Sequence, residues 1–173
     1  MQEKLKVRIK KLHKDSILPQ YAKPGDAGMD LTATSKKYDV DGNVMYSTGL
    51  AFEIPKGYVG LLFPRSSNAK KDLILSNSVG VIDSGYRGEV LFKFKPSPFY
   101  TADEEHAHDT NYFGETTLPQ NKDEHYEGIS EYSVGDRIGQ IIIMPYPSVE
   151  FEEVEELSST ERGEGGFGST GNA

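Results

Sequence analysis

Residues 80–89 read GVIDSGYRGE. An apolar run ends there in an Asp-Ser-Gly turn, and a second apolar run follows over residues 90–94. Two such runs joined by a tight turn predict a β-hairpin and, with it, a fold of antiparallel strands. A hairpin holds its tip rigidly, so the carboxylate of Asp83 would occupy a fixed position suited to a general base. The alternative is that Asp83 only forms the turn by capping its own backbone.

Short strands are indicated on both sides of this stretch. Residues 5–9 alternate apolar and basic side chains, which is the pattern of a half-buried strand. Residues 50–54 and 58–63 also read as strands, and residues 138–144, apolar on both faces, predict a central one. Gly and Pro separate these runs, and the one helical candidate, residues 66–71, is short. The pattern predicts an all-β sandwich or barrel.

Length, charge and composition exclude several classes of protein. The chain has 173 residues and a net charge of −8, which suits one domain with a core and argues against binding duplex nucleic acid. It has no cysteine, so it has no disulfide framework and no thiolate metal site. Residues 1–12 lack the unbroken apolar stretch of a signal peptide, and no segment reaches the ~18 apolar residues of a membrane span. We expect a cytoplasmic protein that does not enter a membrane.

Two segments depart from the strand pattern. Residues 97–131 are acidic and rich in tyrosine, and they read as an insertion between two strands. Their His106 and His108 could ligate a transition metal, but the spacing fits a solvated acidic loop better. Residues 158–173 are rich in Gly and Ser, as in a mobile tail. The predicted organisation is a β domain over residues 1–157, followed by a flexible C-terminal arm.

The arm reads RGEGGFGSTG at residues 162–171. Its glycines have the spacing of a dinucleotide-binding loop, but no strand-to-helix unit surrounds them, so that interpretation is rejected. A Gly-rich terminus is usually only mobile. Here, however, the glycines alternate with Arg162, Phe167 and Ser169. That combination suits an arm folding over a nucleotide, with the ring on a base, the guanidinium and hydroxyl on phosphate, and glycines such as Gly168 allowing close approach.

Polar groups elsewhere are candidates for binding phosphate or metal. Arg65, Ser66 and Ser67 lie where a strand enters the short helix, and either serine could cap that helix and form an anion site. The alternative is an ordinary cap beside a surface arginine. Asp30 lies between Met and Leu, so it is either paired, close to a metal, or on an exposed strand face. Gln140 could donate to phosphate or to a backbone carbonyl.

Taken in order, these motifs resemble those of a known family. The chain carries AGMDL at residues 27–31, PRS at 64–66, GVIDSGYRG at 80–88, GDRIGQ at 135–140 and RGEGGFG at 162–168. Together they resemble the five motifs of the trimeric dUTPase family. The resemblance covers nearly the whole chain except the insertion, which resembles the extra segment of some phage-encoded members.

The resemblance implies a jelly-roll-like all-β subunit and a homotrimer with three active sites at its interfaces. One subunit would lend the phosphate-binding motifs, a second the hairpin and a third the arm. The implied reaction is hydrolysis of dUTP to dUMP and pyrophosphate by attack of water on the α-phosphate, with Mg²⁺ on the triphosphate. This reaction keeps uracil out of DNA and supplies dUMP.

The resemblance also implies a role for each hairpin residue. Asp83 would activate the attacking water. Tyr86 would lie under the deoxyribose, where a 2′-hydroxyl would clash. The backbone at Val81, with Asn77 just before the hairpin, would read the uracil edge and leave no room for the methyl group of thymine.

The remaining motifs would bind the phosphates and the metal. Ser66 would bond near the α–β bridge, while Arg65 and Gln140 are implied phosphate or interface partners. Asp30 would orient the water shell of the metal or brace the hairpin. Ser67, also in the implied phosphate site, stands where the family often has Gly, so its side chain could crowd the phosphates.

The arm would close the site, because Arg162 and Ser169 would grip the γ-phosphate while Phe167 covers the base. Gly139 stands where Ala is usual in the family, which is expected to be a minor change. Two alternatives stay open. One is a dCTP deaminase-type relative on the same fold. The other is a regulatory module whose insertion, residues 97–131, binds a protein partner under the control of nucleotide.

Overall fold

Ten β-strands and a short 3-10 helix form the part of the chain that the structure, a computed structural model, describes, namely residues 4–97 and 130–165. The strands are β1 (Arg8–Lys11), β2 (Met29–Thr32), β3 (Ser35–Tyr38), β4 (Val44–Ser47), β5 (Leu50–Glu53), β6 (Tyr58–Pro64), β7 (Leu73–Leu75), β8 (Gly80–Ile82), β9 (Leu91–Pro96) and β10 (Arg137–Pro145). The 3-10 helix, Ser66–Lys70, lies between β6 and β7. The prediction of an all-β protein is confirmed.

Two four-stranded antiparallel sheets face each other across the core. One has the strand order β2-β10-β6-β8 and the other β3-β4-β9-β7, while β1 pairs with β5. The prediction of a central C-terminal strand is confirmed, because β10 pairs with both β2 and β6. Leu31 and Ile141 of the first sheet pack with Tyr46, Phe92 and Phe94 of the second, and all five are fully buried. The result is a β-sandwich whose two layers share one hydrophobic core.

The two layers are in close contact at Gly139. A Cβ atom at this position would lie 2.2 Å from a ring carbon of Phe92 and 2.9 Å from the carbonyl oxygen of Phe63. The Phe92 ring is fully buried and stacks on Phe94 at 6.1 Å between centroids, so it has no free space to turn into. Phe92 therefore requires glycine here, and the expectation that Gly139 in place of Ala is a minor change is wrong for this chain.

The hairpin predicted around residues 80–94 is wrong in its pairing. β8 pairs with β6, whereas β9 pairs with β4 and β7 in the opposite sheet. Residues 83–90 therefore connect the two layers instead of closing a two-stranded ribbon. Both strands exist close to their predicted positions. Alternation along a strand indicates which face is buried, but it does not indicate the partner strand.

The two ends of the described chain are only partly in strands. β1 begins at Arg8, later than predicted, although Val7 and Ile9 pack against the core. The acidic residues 150–156 pair with no strand of the described chain, and Phe151 among them is 93 % exposed. No helix in the described ranges has the length and apolar content needed to cross a membrane.

Candidate active site

The turn after β8 presents Asp83 to solvent on a braced backbone. The N–H of Tyr86 donates to the carbonyl of Asp83 at 3.0 Å and closes the turn. Arg87 then donates to the carbonyls of Ser84 and Tyr86 at 2.7 Å and 2.8 Å. Within the described residues, the Asp83 carboxylate accepts no hydrogen bond. It therefore does not cap its own turn, and both of its oxygens are available to a ligand or a water.

The ring of Tyr86 is held flat against this connection. Its hydroxyl donates to the carbonyl of Glu89 at 3.0 Å. A Cβ atom on Gly88 would lie 2.4 Å from the Tyr86 hydroxyl oxygen, so only glycine leaves room for the ring. Tyr86 is nevertheless 44 % exposed, which leaves one face of the ring open for packing against a sugar or base.

Asn77 precedes β8, and Val81 lies within it. Asn77 is exposed, and the Val81 side chain is 60 % exposed even though its backbone pairs with Leu61 of β6. Ser78 adopts a left-handed conformation with φ of 57°, which turns the chain sharply from β7 into β8. The turn thus leaves both predicted uracil-reading positions accessible.

Asp30 on β2 pairs with two arginines. Its Oδ1 accepts from the Nε of Arg65 at 2.8 Å and its Oδ2 accepts from Arg137 at 3.0 Å. The Asp30 side chain is only 18 % exposed, so these pairs are partly shielded from water. The sequence left Asp30 as paired, close to a metal or on an exposed strand face, and the structure shows that it is paired. The group has one negative and two positive charges and so carries a net positive charge toward an anionic ligand.

Arg137 was not among the candidates from the sequence. It lies at the start of β10, and its position opposite Thr32 of β2 brings it to Asp30. The Gly-Asp-Arg motif contains it, but no local pattern indicates which acid it will meet across the sheet. The pairing of β10 with β2 is the information that was missing.

Gln140 lies beside the same group on β10, directly opposite Asp30 in the β2 register. Its side-chain amide lies 3.5 Å from the carbonyl of Pro64, at the outer limit of a hydrogen bond. A Cβ atom on Gly28 would lie 2.4 Å from its side-chain oxygen, so glycine at this position makes room for the amide. Gln140 thus packs beside the segment that carries Arg65, and its weak bond leaves the amide able to donate elsewhere.

The 3-10 helix after β6 carries Ser66 and Ser67. Its N-cap residue is Arg65, which makes no side-chain cap hydrogen bond, so the predicted capping by a serine is wrong. Ser66 is exposed and Ser67 is half-buried. Burial raises the pKa of Tyr132, and a side-chain hydrogen bond with Ser67 acts in the opposite direction. Ser67 therefore lies beside the Tyr132 side chain, while Ser66 is exposed to solvent.

The arm is described up to residue 165. The Nε of Arg162 donates to the carbonyl of Gly165 at 3.0 Å, and Gly163 takes a left-handed φ of 51°. These contacts stay within the arm. Phe167, Gly168 and Ser169 lie outside the described residues.

The predicted site residues therefore form three groups in a single chain. They are the Asp83 turn, the Asp30 group with the serines beside it, and the arm. No hydrogen bond or ion pair within the described ranges joins one group to another. An exposed acid on a rigid turn, with separate cationic groups suited to anions, defines a nucleotide-hydrolysing type of protein.

Comparisons with known proteins identify the family. The sequence profile described as dUTPase matches residues 14–98 and 127–171, leaving out most of the predicted insertion. The chain is 38 % identical over 159 residues to the deoxyuridine 5′-triphosphate nucleotidohydrolase of Cutibacterium acnes, covering 89 % of this chain and 85 % of that protein. It is 37 % identical to the enzyme of the same name from a Hydrogenobaculum species, over 96 % and 99 % of the two chains.

Solved structures agree with this assignment. A variant dUTPase of Staphylococcus bacteriophage 80alpha with dUpNHpp superposes with a TM-score of 0.70 at 29 % identity, over 96 % of this chain and 99 % of the other. A dUTPase of phage phi11, described with a structural Mg(II) ion, superposes at 0.62 with 25 % identity, over 90 % and 100 % of the chains. The chain belongs to the dUTPase family, and its sandwich is the all-β jelly-roll-like fold that the motifs predicted.

Proposed function

We propose that this chain hydrolyses dUTP to dUMP and pyrophosphate with Asp83 as the general base. The class of reaction follows from the family: the protein is a dUTP diphosphatase. The observation that carries the proposed role of Asp83 is its exposed carboxylate, which accepts no hydrogen bond within the described residues and stands on a turn braced by Arg87. Water attacks the α-phosphorus, its proton passes to the carboxylate, and the bond from the α-phosphorus to the bridging oxygen breaks to release pyrophosphate.

The nucleoside would lie along β8 and the turn that follows it. The exposed face of the Tyr86 ring suits packing against deoxyribose, and the hydrogen bond of its hydroxyl to Glu89 favours a ring position in which a 2′-hydroxyl would clash. β8 lies at the edge of its sheet, and Val81 and Asn77 are exposed there, so we expect the backbone at this edge to meet the uracil. Recognition by backbone at a rigid strand would discriminate against an added methyl group, because the strand cannot retreat.

The triphosphate would lie between the Asp30 group and the 3-10 helix. Arg65, held by Asp30, and the exposed hydroxyl of Ser66 supply donors there, and Gln140 lies next to them. Such preorganised donors stabilise developing charge without a cost of reorganisation. Arg162, Phe167, Gly168 and Ser169 of the arm would close over the nucleotide from another subunit.

Magnesium is proposed to enter as the complex with dUTP and is therefore part of the substrate. Both oxygens of Asp30 already accept from guanidinium groups, so this side chain fits a contact through water better than direct ligation. No group of three or more His, Cys, Asp or Glu suited to a metal occurs among the described residues. The donors that fit Mg²⁺ best here are the phosphate oxygens themselves.

A homotrimer is proposed as the active form. Its support is the separation of the candidate residues into three groups and the exposed apolar side chains beyond β10, such as Phe151 and Leu157. Large apolar side chains at such exposure favour burial against another subunit. A cytoplasmic location and a protein partner for residues 97–131 stay predictions. A dCTP deaminase activity is not favoured, because the similar proteins are named for dUTP hydrolysis.

The replacement Asp83→Asn tests the proposed mechanism. It keeps the shape of the side chain and removes its ability to accept a proton. We expect pyrophosphate release to fall by about 10²–10⁴-fold while dUTP still binds. Arg87→Lys, which alters the brace but keeps the acid, serves as the control and should lose far less. Turnover of Asp83→Asn close to that of the wild type would refute the assignment.

A further inference from the structure

Tyr132 is fixed in the core at both its ring and its backbone. The residue is 4 % exposed, and its ring packs against those of Tyr46 and Phe94 at centroid distances of 6.1 Å and 5.9 Å. The Tyr46 hydroxyl donates to the carbonyl of Tyr132 at 2.9 Å and accepts from its N–H at 3.1 Å. With ring and backbone both held, the Tyr132 hydroxyl has a single available position.

That hydroxyl reaches the 3-10 helix that follows β6. It donates to the side-chain oxygen of Asn68 at 3.2 Å, and the Asn68 amide donates in turn to the carbonyl of Leu73 at 2.7 Å. Ser67, the preceding residue, is half-buried and lies beside the same side chain. From the other end of the helix, the Lys71 ammonium lies 5.3 Å from the centre of the Tyr132 ring. Tyr132 thus contacts the helical segment at several successive positions.

A helix of this kind depends on such outside contacts for its position. It has five residues, 3-10 geometry and no side-chain cap at its N-terminus. Short 3-10 segments have weak internal hydrogen bonding and do not hold their own orientation. The orientation of Ser66 and Ser67 is therefore set by whatever the helix contacts, and a buried, doubly fixed tyrosine is a rigid reference point.

We infer that Tyr132 is a positioning residue for the triphosphate, whose hydroxyl holds Asn68 so that the start of the helix keeps its donors directed at the phosphates. This inference rests on the proposed function, since it takes the segment after β6 as the phosphate site. The half-buried side chain of Ser67, which stands where the family often has Gly, lies beside Tyr132.

The test replaces the hydroxyl alone. Tyr132→Phe keeps the ring contacts and the backbone bonds to Tyr46. We expect the Kd of the α,β-imido analogue of dUTP to rise about 2- to 10-fold with Mg²⁺ present, the size of one neutral hydrogen bond. The Kd of dUMP, which lacks the β- and γ-phosphates, should stay within about twofold, as should kcat for dUTP.

Tyr38→Phe is the matched control. It removes another tyrosine hydroxyl, which donates to Glu131 at 2.7 Å, one residue from Tyr132 in the sequence. If the loss of any hydroxyl in this region loosened the site, both variants would bind the imido analogue less tightly. We expect Tyr38→Phe to bind it as the wild type does.

A second variant keeps the test decisive if Tyr132→Phe unfolds. Asn68→Ala removes the acceptor of the Tyr132 hydroxyl from the helix side, so it should weaken binding of the imido analogue about as much as Tyr132→Phe. Where both variants fold, the double variant should bind little more weakly than either single variant, because the two side chains act through one hydrogen bond. Wild-type affinity in Tyr132→Phe or, if that variant unfolds, in Asn68→Ala, equal weakening of dUMP, or strictly additive effects would overturn the inference. Loss of turnover in Asp83→Asn is measured separately, so a failure of the positioning role is distinguishable from a failure of the proposed function.

Discussion

Asp30 shows how one carboxylate can organise two cations. Asp30→Asn would remove the charge but keep the shape, leaving the guanidinium groups of Arg65 and Arg137 to repel each other. We expect kcat/KM for dUTP to fall at least about tenfold, since one hydrogen bond to a charged group is worth about 1.5–3 kcal/mol and about 1.4 kcal/mol corresponds to a factor of ten. The Mg²⁺ concentration for half-maximal activity should not change if Asp30 acts only on the arginines. A marked increase in that concentration would instead favour contact with the water shell of the metal.

Asp26→Asn is the control for this measurement. Asp26 is an exposed acid on the loop before β2, and it accepts a backbone N–H from Lys23 at 2.8 Å. Its replacement lowers the net negative charge by the same amount without touching an arginine. We expect its kcat/KM to match that of the wild type, and a loss equal to that of Asp30→Asn would point to net charge instead of pairing.

At the residue scale, the role of a side chain could be predicted from the sequence only where residues close to it in the chain determine its position. Asp83 and Tyr86 could be predicted because the turn that positions them is encoded within a few neighbouring residues. The pairing of Asp30 was an open question, since Arg65 and Arg137 are 35 and 107 residues away along the chain. Tyr132 escaped notice for the same reason, because a hydroxyl that bonds across the core has no local signature.

The connection between β3 and β4 depends on Asp39. Its carboxylate accepts from the backbone N–H groups of Asp41 and Asn43 at 2.9 Å and pairs with Lys93 of β9 at 2.6 Å. The hydrogen bond from Lys93, followed by those from Asn43 and Asp41, holds the pKa of Asp39 well below its ordinary value. A carboxylate with a lowered pKa in the folded state stabilises the fold above its unfolded pKa, and it loses this contribution as the pH falls.

Asp39→Asn should therefore be less stable than the wild type at pH 7, and the difference should shrink below pH ~4, where the unfolded carboxyl becomes protonated. Urea unfolding at several pH values measures this. Asp41→Asn, a neighbouring exposed acid, is the control and should show no comparable convergence. A difference for Asp39→Asn that stays constant down to pH 3 would contradict the account.

The contact between Gly139 on β10 and Phe92 on β9 gives a second prediction at the scale of elements. Gly139→Ala on β10 places a methyl group against the buried ring of Phe92 on β9, and overpacking of this kind costs about 1–3 kcal/mol. Phe92→Leu alone also destabilises, because it leaves a cavity. The double variant should be more stable than the sum of the two losses predicts. Strict additivity in chemical denaturation would show that the methyl group is accommodated elsewhere.

At the scale of elements, the strands were predictable and their partners were not. The runs that became β5, β6 and β10 had clear patterns, and β10 proved central because it is apolar on both faces. The error lay at residues 83–90, where a turn signal was taken to join two paired strands. Turn chemistry describes four residues, whereas this connection continues to Val90, whose N–H bonds to Leu50. In the sequence, a connection between two sheets can begin with the same turn residues as a hairpin.

The whole molecule raises the question of how three separate groups form one site. In a single described chain, the turn at Asp83 and the arm at Arg162 make no hydrogen bond or ion pair with each other. An arm supplied by a neighbouring subunit would explain this without any rearrangement of the domain. Closed rings of identical subunits repeat such a contact at every interface. The arrangement predicts that two defective chains can complement each other.

Asp83→Asn and a chain ending at residue 158 should each be almost inactive as pure proteins. Co-expressed in equal amounts, they should form mixed trimers in which some sites take Asp83 from one chain and the arm from the other. In a mixed trimer, about one site in three takes Asp83 from one chain and the arm from the other, so the purified mixed species should show about one third of wild-type turnover per site. Purification through a tag on each chain isolates the mixed species, and pyrophosphate release measures the result. If the arm folded back on its own subunit, a chain with both parts intact would be absent from every trimer, and no activity would return.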